Sequence, residues 1–254
     1  MLQLMQDITL NFTRNTACIL NSLFTHQKTY NMAIPQTQLS IKLKGQVESG
    51  TMVSLDFNAL PGSNPKALGY FVAIWQGNQI QDLSEALQTQ NITTETQSGS
   101  ATFENLELAN LDYIIGFGVD NKNGVSICAT IEVPQGSEIG QQLEGDLSTI
   151  NLQSQSSNSL IAGFKTPEYN TPADNKNWIA LFKGGLTANM YKGKNVVKTT
   201  MISNNTNKGA VAMNDIPGGL IRFEKYTLIY GMGLNKDGKP DFSNLVSATQ
   251  FDIA

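Results

Sequence analysis

Phe71-Val72-Ala73-Ile74-Trp75-Gln76-Gly77 and Trp178-Ile179-Ala180-Leu181-Phe182-Lys183-Gly184 are two versions of one phrase. Each is an unbroken apolar run with an aromatic at both ends, followed by one polar residue and a glycine. A short apolar run that stops at a turn former is the pattern of a strand covered on both faces. Further matches follow in the same order. Ile115-Gly116-Phe117-Gly118-Val119 matches Tyr230-Gly231-Met232-Gly233-Leu234. The turns Asn121-Lys122-Asn123-Gly124 and Asn235-Lys236-Asp237-Gly238 come next. Each half then closes on a strand, Val125-Ser126 leading to Ala129-Thr130-Ile131-Glu132-Val133, and Val246-Ser247 leading to Ala248-Thr249-Gln250-Phe251. The spacing, roughly 105 to 120 residues, is too long for a solenoid repeat and suits a duplicated domain.

Working outward, Val53, Leu55 and Phe57 alternate with Ser54 and Asp56, as a half-buried strand does. Ala101 and Phe103 alternate in the same way, and Tyr113 to Val119 is a second buried run. Asn123-Gly124 and Asp237-Gly238 are dipeptides favoured in tight hairpins, whose central residues need positive φ. About seven short strands per half, at spacings of eight to twelve residues, suggest sheets packed face to face. The expected fold is all-β, with two tandem immunoglobulin-like antiparallel β-sandwiches and an N-terminal extension. Residues 1–37 are expected to form the extension and 38–133 the first sandwich. Residues 134–145, which open on Pro134-Gln135-Gly136-Ser137, read as a linker, and 146–254 as the second sandwich.

Asn177-Trp178-Ile179-Ala180-Leu181-Phe182-Lys183, Asp215-Ile216-Pro217, Lys225-Tyr226-Thr227-Leu228 and Ser247-Ala248-Thr249-Gln250-Phe251 together resemble the SKIP carboxyl homology (SKICH) domain. That family shows a Trp-Ile-Gly-Leu-Phe-Lys strand, a Leu-Pro turn, a Tyr-containing strand and a final Ser-x-x-Phe strand. The likeness is fainter in the first half, where Phe71-Val72 replaces Trp-Ile and Leu106-Glu107-Leu108 replaces the turn. It implies an immunoglobulin-like sandwich used for targeting or protein interaction, without catalysis.

Composition narrows the function classes. Of the 254 residues 40% are hydrophobic and only 15% charged, against about 25% charged in ordinary soluble domains. Asn, Gln, Ser and Thr make up about a third of the chain. The net charge of -4 and pI near 5.0 lack the basic footprint of a nucleic-acid binder. One histidine, His26, and two cysteines, Cys18 and Cys128, cannot supply a His/Cys zinc site or a disulfide-dense scaffold. No apolar stretch is long enough to span a bilayer as a helix. The run Ala17-Cys18-Ile19-Leu20 is broken by Asn21 and Ser22 and carries no small-x-small cleavage site. The expected location is therefore cytoplasmic, with an extracellular or surface location by a non-standard route as the alternative.

Several residues invite a role. Ile8-Thr9-Leu10-Asn11-Phe12 has strand period, so Ile8, Leu10 and Phe12 are the assembly candidates, capping their own domain or pairing with a neighbouring copy. Trp75 and Trp178 suit core packing, with stacking on a ligand as the sharper alternative. Asn235, Asp237 and Asp241 offer hard oxygens to calcium, but Lys236 and Lys239 intrude and a plain turn fits better. Gly116-Phe117-Gly118 and Gly231-Met232-Gly233 lack the third glycine of a phosphate loop. No catalytic, cofactor-binding or metal-ligating residues are assigned, and no cofactor is expected.

The expected function is that of a non-catalytic structural or interaction protein. It would self-associate as a homo-oligomer or polymer, or bind another protein, through sandwich edges and loops. The alternative is a carbohydrate-binding or adhesive module, lectin-like, of the kind found in toxins and effectors, with glycans as ligands. A hydrolase built on a sandwich is the weakest reading, because no spacing singles out a pair of carboxylates.

Overall fold

The computed structural model describes residues 35–120 and 126–253. The expectations placed on Ile8, Leu10, Phe12, Cys18, His26 and the Asn123-Gly124 turn lie outside the described residues.

The fold is all-β, and every strand pairing among the described residues is antiparallel. The chain opens with β1 (Gln36–Ser40), β2 (Lys42–Ser49) and β3 (Met52–Asn58), then a one-turn helix α1 (Pro65–Leu68). There follow β4 (Phe71–Gln76), β5 (Gln88–Asn91), β6 (Ser98–Phe103), β7 (Tyr113–Gly118), β8 (Ile127–Val133), β9 (Gln142–Glu144) and β10 (Asp146–Leu147). The second half runs through β11 (Thr149–Gln155), β12 (Leu160–Lys165), β13 (Trp178–Lys183), β14 (Val196–Met201), β15 (Lys208–Met213), β16 (Lys225–Gly231) and β17 (Leu245–Asp252). Two five-stranded sheets share one order, β10-β8-β7-β4-β5 and β1-β17-β16-β13-β14. The smaller sheets, β6-β3-β2-β9 and β11-β12-β15, also correspond, with β9 added in the first.

The repeated phrases form β4 and β13, interior strands one in from the edge of the large sheets, and their apolar residues are fully buried. In β3, Val53, Leu55 and Phe57 are buried while Asp56 is exposed, as the alternation requires. Aromatic contacts tie facing sheets together. Phe57 on β3 meets Phe117 on β7 at a centroid distance of 5.2 Å, and Phe164 on β12 stacks on Tyr230 of β16 at 5.8 Å.

Register corrects the internal alignment. Phe71 lies opposite Gly118, and Trp178 lies opposite Gly231. Gly118 therefore corresponds to Gly231, whereas aligning the two Gly-x-Gly motifs sets Gly116 on Gly231. A two-residue slip keeps every side chain on its own face, so the hydrophobic pattern could not expose it. In the closing strands Ala129 pairs with Phe117 and Ser247 with Tyr230. Ala129 thus corresponds to Ser247, and the shared Ala-Thr pair is offset by one.

Two further features repeat at corresponding positions. The Tyr113 hydroxyl accepts the Glu107 N–H at 2.8 Å, and the Tyr226 hydroxyl accepts the Ile221 N–H at 3.1 Å. A tyrosine near the start of a strand, bonded to backbone a few residues upstream, has the geometry of the tyrosine corner known from immunoglobulin domains. The second feature seals the edge between facing sheets. Gln88, opposite Ile74 on β4, donates to the Glu104 carbonyl. Lys198, opposite Leu181 on β13, donates to the Asn214 carbonyl. Gln90 adds a bond to the Thr102 carbonyl at 2.6 Å. Part of the amide surplus thus works as clasps over sheet edges that would otherwise be open.

Strand pairings cross the expected domain limits. β1 lies in front of the first half but pairs with β17 of the second, from Gln36 opposite Phe251 to Ser40 opposite Ser247. β10 lies in front of the second half but pairs with β8 of the first. The limit expected at 37/38 therefore falls inside a strand of the second half's sheet. The expected linker, 134–145, contains β9, which pairs with β2. Each half completes its large sheet with the leading strand of the other, and the chain from Pro35 onward forms one compact unit. Among the described residues, no helix is long and apolar enough to cross a membrane.

Candidate functional site at the seam of the two halves

The seam begins where the chain changes sheets. Ile41 alone separates β1 from β2, and Ser148 alone separates β10 from β11. Their amides make corresponding bonds, Ile41 N–H to the Val246 carbonyl at 3.2 Å and Ser148 N–H to the Cys128 carbonyl at 2.9 Å. Gln36 reinforces the first crossing, because its side chain donates to the Leu152 carbonyl at 2.7 Å and accepts the Leu152 N–H at 2.9 Å.

From the second crossing a buried polar chain leads across the seam. The Ser148 hydroxyl lies 2.8 Å from the Cys128 carbonyl and 3.3 Å from Thr166 Oγ1. Asn170 Nδ2 donates to the Ile127 carbonyl at 3.2 Å. A carbonyl can only accept, so this bond orients the Asn170 amide and turns its Oδ1 toward Asn177. Asn177 Nδ2 then donates to Asn170 Oδ1 and to the Tyr230 hydroxyl, each at 2.8 Å. Thr166 and Asn177 are fully buried, and Asn170 is 6% exposed. Among the described residues, Asn177 Oδ1 is buried with no protein hydrogen-bond partner.

Asn170 also forms part of the wall of a cavity of about 320 Å3. One wall is the β4–β5 loop, with Ile80, Gln81 and Asp82. The other is the β12–β13 loop, with Pro167, Tyr169, Thr171 and Asn175, and β8 contributes Ile127 and Thr130. Both loops are held. The Trp75 indole N–H donates to the Asp82 carbonyl at 3.1 Å, which anchors the first to the core. The second is tied by its own backbone bonds, Asn175 N–H to Thr171 and Asn177 N–H to Pro172. Tyr169, only partly buried, packs against the cluster formed by Phe71, Trp75, Ile114 and Ile127.

Charge around the cavity is negative. Burial raises the Tyr169 hydroxyl above its ordinary range, and the nearby Glu132 and Glu168 carboxylates add to the rise. Deeper in the molecule, burial pushes the Cys128 thiol and the Tyr70, Tyr191 and Tyr230 hydroxyls up as well. Such groups keep their protons at neutral pH and make poor nucleophiles or bases.

The structure places the sequence candidates elsewhere. Trp75 and Trp178 are both 0% exposed. The indole of Trp178 donates to the Gly233 carbonyl at 2.9 Å and meets Phe242 edge-on at 5.2 Å. Neither indole offers a free face, so the stacking role is withdrawn and both are core residues. Asn235 Oδ1 accepts the amides of Asp237 and Lys239, and Asp241 Oδ1 accepts from Ser243. These oxygens serve the turn itself.

Sequence reasoning missed Asn170, Asn177 and Tyr169. The one available signal was an amide immediately ahead of the apolar run at Trp178. Compared with known proteins, the sequence matches no family model and no curated protein.

Proposed function

We propose that this chain is a non-catalytic interaction protein, built as two tandem immunoglobulin-like sandwiches, that self-associates or binds another protein through sheet edges and loops. The observation supporting this reading is the position of β1 on β17. That edge takes its strand from outside its own half, and the same backbone bonds are available to a strand from a second copy. The strand offered, Gln36-Thr37-Gln38-Leu39-Ser40, carries no charge, so copies approach without local repulsion. The loop before β16 adds an apolar tip, with Phe223 88% exposed and Ile221 48% exposed. Phe223 holds a φ of 63°, a conformation uncommon for a bulky residue and frequent at functional sites.

Light scattering of the full chain over a range of concentrations tests the reading. Species larger than 27.6 kDa that grow with concentration support it. A 27.6 kDa monomer at every concentration overturns self-association.

A further inference from the structure

The seam cavity has a chemistry of its own, independent of any association through β1. At about 320 Å3 it lies at the small end of ligand sites, enough for one ring and its substituents. Among the described lining residues there is no lysine or arginine. Asp82 is the one carboxylate among the lining residues, and Glu132 and Glu168 extend the negative field at Tyr169. Anionic ligands such as phosphates are therefore repelled.

The remaining groups suit a neutral, polyhydroxylated ligand. Gln81, Asn170 and Asn175 bring amides that both donate and accept, and Thr130 and Thr171 bring hydroxyls. Ile80, Ile127 and Pro167 supply an apolar floor, and the Tyr169 ring stands at the wall. A pyranose presents the same combination, hydroxyls at the rim and an apolar C–H face. Asn170 is oriented in advance. Its bonds to Ile127 and Asn177 use one N–H and one lone pair, leaving one of each for a ligand.

We propose that the cavity between the β4–β5 and β12–β13 loops binds one small uncharged sugar ring, with Tyr169 as its apolar platform and Asp82, Asn170 and Asn175 as hydrogen-bonding groups. Asp82 accepts from sugar hydroxyls, which tightens binding without calling for a charged ligand.

The test is a calorimetric titration of the full chain with glucose, galactose, mannose and N-acetylglucosamine, with glucose 6-phosphate as the anionic comparison. Asp82→Ala and Tyr169→Ala are the variants, because both residues lie outside the buried Asn170–Asn177–Tyr230 chain. Their melting temperatures verify folding. The proposal expects at least one neutral sugar to bind, each substitution to weaken it at least about tenfold, and the phosphorylated sugar to bind less well. Absence of binding by all four neutral sugars overturns it. So does binding that survives both substitutions, or a preference for the phosphorylated sugar. A monomeric chain that still binds sugar would sink the association reading alone.

Discussion

The Trp178 indole lies across Gly231, its registered neighbour on β16, and fills the space where that residue would carry a Cβ. Phe71 does the same to Gly118 on β7. A Cβ added at either glycine would lie well under 3.0 Å from the ring, a separation real Cβ atoms essentially never show. Gly118→Ala and Gly231→Ala are each expected to cost about 1–3 kcal/mol or more, because a packed core cannot move a ring aside freely. Urea denaturation measures the loss, and an unchanged midpoint for both variants would refute the stated packing.

The tyrosine corners are expected to contribute independently. Tyr113→Phe and Tyr226→Phe each leave a part-buried N–H, of Glu107 or Ile221, without its acceptor. Each should cost about 1–3 kcal/mol, and the double variant should show roughly the sum. Strong non-additivity by urea denaturation would mean that the corners are coupled.

Alkaline pH should destabilise the fold. Burial raises the Cys128 thiol and the Tyr70, Tyr191 and Tyr230 hydroxyls. The folded chain therefore holds these protons after the unfolded chain has released them, and stability falls as pH rises. The decline should begin near the unfolded thiol range, about pH 8.5, and steepen above about pH 10 as unfolded tyrosines ionise. Cys128→Ala should remove the earlier part of the decline. A urea midpoint that rises between those pH values would contradict the assignment. Thiol labelling mapped by mass spectrometry is expected to modify Cys128 only as fast as the chain unfolds.

The exchange of β1 and β10 should make the halves unfold together. The two tryptophans report separately, Trp75 in the first half and Trp178 in the second. In urea, Trp178→Phe should leave fluorescence from the first half and Trp75→Phe from the second, with a single shared transition after allowance for each variant's own cost. Two transitions within the protein retaining both tryptophans would show that the halves are separable.

Much of the fold was legible in residues with a strong period. The apolar runs at Phe71 and Trp178 and the alternation at Val53 to Phe57 all became strands with the expected faces buried. What the pattern could not carry was pairing. A slip of two leaves inside and outside unchanged, which hid the match of Gly118 to Gly231. The crossing of β1 was hidden because Gln36 to Ser40 has little apolar signal and only Ile41 separates it from β2. The seam site was not legible because its groups come from separated loops, between Ile80 and Asn177, and meet only after both halves fold. The indoles of Trp75 and Trp178 lie in the core, the role their strands suited best, and their alternative use as ligand platforms is lost. The partly exposed ring at the cavity is Tyr169.

Thr37 and Gln250 are registered partners on β1 and β17, so a disulfide between them would report whose β1 each β17 holds. One preparation carries Thr37→Cys and another Gln250→Cys, both in a Cys18→Ser background. They are mixed, held at conditions that favour association, then oxidised and separated by mass without reductant. If copies associate by trading β1, the mixture yields a disulfide-linked dimer of the two variants that neither forms alone. If only monomer is recovered from the mixture, while the chain carrying both substitutions closes its own disulfide readily, β1 stays within its own chain and association by strand exchange is contradicted.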